Sequence, residues 1–382
     1  MAADKNIFKA DSSYKYEPGI DLKLKYSETI RNVSPDFLER ILTVGGVTKT
    51  DLFLLRAVLF YRVATAEMVV EFLRYFRHFY GAKECERLLV GDFAYKDDDP
   101  LLSDEDARKE IRTIYHRLLN MSKKHLLFCY KLENTTNFSG GGYQDVVFCT
   151  SHTTYNVVRT FFNDTPTFES KALKYNYFYC VMPVQKMLET MHACRIGVLG
   201  FQNHHSQVRL IREDDIQFGA AKEHFETTMT AEVQTREKLY KVIIEPIHFL
   251  GDERIVTRSE HLKKIEALIE VMKRIIYHYN HMRQVHSDYN EEVRFLIAAE
   301  NLEGMSRAVQ MMNKYKEYFS GKVYFTTDRV LLETGSLANA VVAAREVPNR
   351  EDDSTHLGLV KLSRDKLIDS GNKWLLEDAG SM

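Results

Sequence analysis

Residues 50–162 determine the predicted fold of the first half of the chain. They begin with the apolar run TDLFLLRAVLFY at 50–61. A second run, TAEMVVEFLRYF at 65–76, spaces its apolar residues by three and four, as one buried helical face requires. After a break, SDEDARKEIRTIYHRLLN at 103–120 opens with a residue pattern typical of a helix start. The three runs therefore predict three helices, of which the third carries the most basic residues.

Two strands and a loop follow the third helix. LLFCY at 126–130 and VVFC at 146–149 are short apolar runs rich in β-forming residues, and each predicts a strand. The polar segment NTTNFSGGG at 134–142 lies between them and predicts a loop. Three helices followed by a strand, a loop and a strand form the order of a winged helix-turn-helix, with residues 134–142 as the wing. This fold most often holds DNA, and it also serves as a protein-docking module.

The third helix supplies the candidate DNA-binding residues, which are all basic. They are Arg108, Lys109, Arg112, His116 and Arg117, followed by Lys123 and Lys124. In a winged helix this element enters the major groove, so we expect the first four to contact bases and the two lysines to contact phosphate with the wing. The alternatives are an ordinary solvated face and a protein-docking surface, because acidic residues at 104–106 and 110 dilute the positive charge.

Composition limits the class of protein. The 382 residues suffice for two or three domains, and 45% hydrophobic content supports real cores. The formal net charge is −2, so any affinity for nucleic acid has to come from a local basic patch. Five cysteines without a CxxC pair indicate reduced core residues, and no apolar run approaches the roughly 20 residues of a membrane span. Without a signal peptide at its start, the chain is expected to be cytoplasmic and to have no membrane partner.

The sequence of the second half of the chain predicts a mixed α/β domain. Its apolar runs predict strands at 195–201, 208–211, 239–249, 293–299 and 322–327. Three long segments predict helices: an apolar one at about 170–194, broken or bent near Pro183, and two others at 257–282 and 302–318. Strand, helix and strand of these lengths imply a parallel crossover. The predicted domains are an N-terminal arm with a short helix at 1–47, the winged helix at 48–163, the α/β domain at 164–347 and a charged C-terminal tail at 348–382, which carries a short helix near 359–367.

The second half contains acidic residues that could hold a catalytic metal ion. A metal-dependent nuclease of the restriction-endonuclease type needs an Asp on one strand and Glu-x-Lys on the next. The candidate acids are Glu245, Asp252 and Glu253, but isoleucine stands where each Glu would require its lysine, at Ile247 and Ile255. The sequence therefore predicts a catalytically degenerate domain, with no catalytic residue, metal ion or cofactor.

Histidines offer a second possible metal site. His204 and His205 are adjacent, which does not match the spacing that a relaxase needs. His278 and His281 are three residues apart on a predicted helix and could share a zinc ion. No carboxylate or cysteine stands at a matching spacing, so a polar helix face is the favoured interpretation.

In its order of elements the chain resembles the replication-relaxation family of bacterial plasmids and mobile elements. The resemblance spans roughly residues 48–335 and joins the winged helix to the helix at 257–282 and to the strand, helix and strand after it. It implies a sequence-specific, double-stranded-DNA-binding accessory protein in replication, transfer or transcription control, with a second domain that resembles a restriction-endonuclease-like fold. Asp252 and Glu253 match the acidic pair that the family often carries before the long helix.

The sequence is compatible with three functional hypotheses. The first is DNA binding, with a homodimer and replication or transfer proteins as further expected partners. The second is a metal-dependent DNA nuclease that uses Glu245, Asp252 or Glu253. The third is a protein-interaction scaffold, in which the winged helix docks to a partner and the tyrosine-rich segments at 175–179 and 277–279 are candidate contacts.

Overall fold

The structure, a computed structural model, describes eleven stretches of the chain. They are residues 11–14, 21–24, 34–44, 46–80, 104–133, 146–150, 184–201, 208–249, 255–349, 354–362 and 372–375. The described residues fall into two compact units. The helical unit consists of those within 21–150 together with 184–187, and the sheet unit consists of 11–14 together with those from 188 onward.

The helical unit combines four helices with a small antiparallel sheet. Its helices are α1 (Pro35–Val44), α2 (Lys49–Tyr61), α3 (Ala66–Tyr80) and α4 (Asp104–Lys123). Its strands are β1 (Asp21–Leu24), β2 (Val63–Ala64), β3 (Phe128–Glu133) and β4 (Val146–Cys149). They lie side by side in the order β1-β3-β4-β2, and every neighbouring pair is antiparallel. The three helices and two strands predicted for this region are confirmed, whereas β1 and β2 were not predicted.

Local sequence explains where these helices begin and which face they bury. At the start of α2 the Thr48 hydroxyl accepts a hydrogen bond from the Asp51 amide, and the Asp51 carboxylate accepts one from the Thr48 amide. This reciprocal capping satisfies two amides that the first helical turn leaves without partners. In the described part of α3, Met68 and Phe72 of the predicted apolar face are fully enclosed. Val70 and Glu71, which lie off that face, are buried as well, so the spacing predicted the helix but not the full extent of its buried surface.

The sheet unit is built on a seven-stranded mixed sheet. Its main strands are β5 (Val208–Arg212), β8 (Met229–Gln234), β9 (Leu239–Ile247), β10 (Glu291–Ala299), β11 (Val323–Thr326), β12 (Val342–Pro348) and β13 (Thr355–Lys361). They lie in the order β13-β12-β11-β10-β9-β8-β5, and β6 (Asp215–Phe218) and β7 (Glu223–Glu226) form a separate hairpin. Its helices are α5 (Val184–Phe201, of which 188–201 belong here), α6 (Ile255–Val285), α7 (Leu302–Met312), α8 (Lys316–Phe319), α9 (Asp328–Thr334) and α10 (Leu337–Ala340).

Three central strands of this sheet run parallel. β10 pairs in parallel with β9 on one side and with β11 on the other, and the remaining neighbours are antiparallel. α6 connects β9 to β10, and α7 lies between β10 and β11. The parallel crossover predicted from the strand and helix lengths is therefore confirmed, and the unit is mixed α/β. Within the described residues, no helix has the length and apolar character needed to span a bilayer.

Two predictions of secondary structure were wrong. Residues 195–201 form the end of α5 and not a strand. The run is buried all around, and a Cβ at Gly197 would collide with Met229 on β8, so this glycine lets the helix lie close to the sheet. Residues 359–361 belong to β13 and not to a helix, because β12 pairs with them along the sheet edge. A short run without periodicity cannot distinguish these cases, since the neighbouring element decides them.

Several further predictions lie outside the described residues. They are the loop at 134–142 that was predicted to be the wing, the end of the predicted winged-helix domain at 151–163 and the first part of the long helix at 170–183.

Candidate nucleic-acid interface

The basic residues predicted to bind DNA lie on or directly after α4. Arg108, Lys109, Arg112, His116 and Lys123 are exposed, whereas Arg117 and Lys124 are partly buried. At about 100° per residue, the five exposed side chains fall within an arc of roughly 100° on the helix surface. The structure therefore brings five of the seven predicted residues to one side of a single helix.

The opposite side of α4 holds the helix in the unit. Ile114, Tyr115 and Leu118 are buried there, and α4 packs against α2 and α3. Ile111 and Leu119, which were predicted for the same buried face, are only partly buried. An amphipathic helix anchored by one apolar side presents its cations on a rigid support, which a groove-reading element requires.

The two remaining cations contact protein groups near α2. Nη1 of Arg117 lies 3.6 Å from the carboxylate of Asp51, in the first turn of α2. Nζ of Lys124 donates a hydrogen bond of 3.3 Å to the carbonyl of Gly46. Arg117 also lies about 180° around the helix from Arg108. Its position therefore suits a role in holding α4 against α2 better than a base contact.

Of the three acids considered for nuclease chemistry, Glu245 alone lies among the described residues. Glu245 is buried on β9, and its two oxygens accept hydrogen bonds from the amide and the hydroxyl of Thr228, the latter at 2.7 Å. Ile247, two residues further on, faces the same side of the strand, so β9 supplies no lysine there. Asp252 and Glu253 lie outside the described residues.

The histidine pair on α6 shows features of an ordinary helix surface. His281 is exposed and stacks on Tyr277 with an angle of 1° between the rings. Partial burial lowers the pKa of His278, and the nearby His281 lowers it further. In the ranges that the structure describes, no three or more His, Cys, Asp or Glu side chains are placed to hold a metal ion. His204 and His205 lie outside those ranges.

A buried polar cluster in the sheet unit was missed by the sequence analysis. Its members are Ser12, Tyr14, His192, Arg195, His248 and Asp328, and all are at least nine-tenths buried. The hydroxyl of Ser12 donates to Asp328 at 2.8 Å and lies 3.1 Å from Nε2 of His192. Nδ1 of His192 lies 2.8 Å from Nε2 of His248, and Asp328 also meets Arg195 at 3.4 Å.

The cluster forms where two of the parallel strands end. His248 follows β9, and Asp328 comes two residues after β11. Residues 11–14 close over this edge, where the ring of Tyr14 stacks on that of His192 at a centroid distance of 5.5 Å. In the sequence, this cluster could have been predicted from the polar residue that follows each apolar strand, because parallel strands bring such residues together at one edge of the sheet.

Burial and the neighbouring charges favour a neutral His192 and an ionised Asp328 in this cluster. Burial lowers the pKa of His192 to about 4, although Asp328 opposes this, so the ring is neutral at pH 7. Burial favours the protonated form of Asp328, but His192, Arg195 and the Ser12 hydroxyl outweigh it and lower the pKa of this carboxyl. Because the whole cluster is enclosed, its arrangement suits holding the N-terminal segment to the sheet unit and not reaching a substrate.

Comparison with known proteins assigns no relative, since no family model, curated protein or solved structure matches the chain. The functional conclusion therefore rests on the chemistry of the described residues.

Proposed function

We propose that this chain is a sequence-specific, double-stranded-DNA-binding accessory protein of a bacterial plasmid or mobile element, acting in replication, transfer or transcription control. The observation that carries the proposal is the exposed cationic face of α4 within the helical unit. The elements α2, β2, α3, α4, β3 and β4 follow the order of a winged helix, and β4 pairs with both β2 and β3. In that plan α4 is the recognition helix, whose exposed side reads the major groove.

Each of the seven basic residues on or directly after α4 has a proposed role. Arg108, Lys109, Arg112 and His116 contact base edges, where Arg and Lys pair best with guanine. Lys123 and Lys124 contact backbone phosphate together with the loop at 134–142. Arg117 positions α4 through its ion pair with Asp51.

The sheet unit is proposed to be a degenerate restriction-endonuclease-like domain, as in the replication-relaxation family. Support comes from its order of α5, three antiparallel strands β5, β8 and β9, then α6 and the parallel strand β10. Thr228, just before β8, is bonded to Glu245, and Ile247 stands where the Glu-x-Lys pair requires its lysine. The missing lysine removes the water-activating group.

The test is a binding titration with DNA fragments from around the protein's own gene, at two salt concentrations. Binding to one fragment that weakens steeply with salt is the expected result. Arg108→Ala and Arg112→Ala should each lower specific affinity by about 1–3 kcal/mol, which is roughly 5- to 150-fold. Arg40→Ala serves as the matched control, because Arg40 is an exposed arginine on α1 of the same unit.

The outcomes separate the three hypotheses. Unchanged affinity in both α4 variants would remove the assigned base contacts. Absence of salt-dependent binding by the wild-type chain would favour the docking hypothesis, for which exposed Tyr277 is a candidate contact. Cleavage of plasmid DNA in Mg²⁺ or Mn²⁺ that is abolished by Glu245→Gln would establish the nuclease hypothesis instead.

A further inference from the structure

Four cations converge on one buried carboxylate at the amino-terminal edge of the parallel strands. Oε1 of Glu292, on β10, lies 2.8 Å from Nη2 of Arg294, 2.9 Å from Nζ of Lys322 and 3.1 Å from Nη1 of Arg283. Its Oε2 lies 3.0 Å from Nζ of Lys238. We call these five residues the Glu292 cluster.

The fold explains why these cations meet. Lys238 stands directly before β9 and Lys322 directly before β11, and Arg283 lies in the last turn of α6, which leads to β10. Since β9, β10 and β11 are parallel, their first residues lie along one edge of the sheet. Three chain segments far apart in sequence therefore place their cations around one residue of the central strand.

The Glu292 cluster carries an unbalanced positive charge. Four cations share one carboxylate, which leaves a formal excess of three positive charges. The neighbouring carboxylates of Glu291 and Glu232 pair instead with another cation, Lys241, at 3.7 and 3.8 Å. Like charges held this close repel one another, particularly where water is partly excluded.

The charge imbalance also appears in the titration of Lys322. Burial lowers the pKa of this lysine to about 8, and repulsion by Arg294 contributes in the same direction. At Glu292, burial would raise the pKa, but Arg294 and Lys322 lower it far below its ordinary value. Among the described residues, no acceptor reaches Nε of Arg294, which is buried. The cluster thus has more donors and more positive charge than Glu292 can satisfy.

Three of the four cations remain accessible from outside. The side chains of Arg283, Lys238 and Lys322 are 36%, 32% and 19% exposed, whereas that of Arg294 is 5% exposed. An incoming anion can therefore meet three separate donors while Glu292 and Arg294 form the floor of the site. A phosphate group suits this arrangement, since its several oxygens accept hydrogen bonds from lysine and arginine.

We propose that the Glu292 cluster is a phosphate-binding site, formed by Lys238, Arg283 and Lys322 on the sheet unit. In the DNA complex the ligand is a backbone phosphate, an assignment that rests on the proposed DNA-binding function. The site would give the sheet unit a sequence-independent grip, because phosphate contacts position a protein on DNA without reading bases.

The first arm of the test uses inorganic phosphate and the full chain. Urea unfolding is followed by the fluorescence of Trp374, which is the single tryptophan of the chain and is fully buried in the same unit. Phosphate replacing chloride at constant ionic strength should raise the unfolding midpoint, since it binds the folded state. Phosphate also stabilises folded proteins without binding a site, so the rise should be smaller in Lys322→Gln and in Arg283→Gln than in the wild type. It should be as large as in the wild type in Lys263→Gln, which replaces an exposed lysine on α6.

Two variants guard against loss of folding. Arg283 is exposed at the end of α6, so its replacement should leave the core intact even where that of Lys322 weakens it. Equal effects of phosphate on the wild type and on both variants would overturn the site.

The second arm measures the slope of log affinity for DNA against log salt concentration. Arg283→Gln and Lys322→Gln should each reduce the slope by about 1 and weaken binding to all sequences alike. An unchanged slope with intact DNA binding would show that the site does not contact the DNA backbone. The phosphate response would then assign the site to free phosphate. If the wild type binds no DNA, the proposed function fails, while the first arm still decides the phosphate site.

Discussion

Replacement of Asp328 by asparagine should destabilise the sheet unit strongly. Its carboxylate is fully buried and accepts hydrogen bonds from the Ser12 hydroxyl at 2.8 Å and the Ser13 amide at 3.1 Å. It also balances the buried guanidinium of Arg195 at 3.4 Å. Asparagine preserves the shape and removes the charge, so Asp328→Asn isolates the electrostatic contribution of this group.

The magnitude follows from the partner that remains. Breaking a buried ion pair by removing one member costs about 3–5 kcal/mol, because the remaining buried charge loses the carboxylate that balances it. Ser12→Ala should cost less, about 1–3 kcal/mol, since it removes hydrogen bonds and leaves the Asp328–Arg195 pair in place. The prediction therefore includes the order of the two effects: Asp328→Asn should lower the stability more than Ser12→Ala.

The assay is urea unfolding followed by the fluorescence of Trp374. This tryptophan packs against Tyr324 at a ring distance of 5.1 Å and therefore reports the sheet unit. Asp288→Asn is the matched control, because Asp288 is exposed and its replacement should change stability by less than about 0.5 kcal/mol. An Asp328→Asn midpoint no lower than that of the control would refute the view that the buried polar cluster stabilises this unit.

Three further predictions concern other parts of the chain. In the folded chain, burial lowers the pKa of His192 to about 4 and also lowers that of His248. As the pH falls from about 6.5 towards 4, these histidines become protonated in the unfolded chain before they do in the folded chain. The urea midpoint should therefore fall over this pH range. Thr48→Ala should lower the stability of the helical unit by about 1 kcal/mol, measured by circular dichroism, because α2 loses its capping hydroxyl. Gly197→Ala should cost about 1–3 kcal/mol by the Trp374 assay, because the new methyl group meets Met229; a stabilised variant would contradict this packing.

The two proposed DNA-contacting surfaces reconcile nucleic-acid binding with the overall charge. The chain has a net charge of −2, and the cations proposed to contact DNA form two local groups, one on α4 and one in the Glu292 cluster. Local patches of this kind create a field that attracts phosphate even where the whole molecule is not basic. The α4 face is proposed to read sequence, and the Glu292 cluster to add affinity that depends on salt.

Much of the secondary structure was determined by local sequence. The apolar spacing predicted α2, α3 and α4, and the apolar run at 293–299 predicted β10, because helical and strand periods follow from backbone geometry alone. Strand and helix lengths further predicted the parallel crossover. The cationic face of α4 was also readable, since it depends on a single helix. The run at 195–201 escaped this reasoning because it is buried on every side and has no polar face to set a period.

The polar clusters were decided by tertiary structure alone. Ser12 and Asp328 are 316 residues apart, yet their side chains share a hydrogen bond. Lys238 and Lys322 meet at Glu292 only because three strands are parallel and in register. Periodicity places a residue on a face of its own helix or strand. It does not say which distant residue lies opposite, because that depends on strand order and register, which the packing of the whole unit determines.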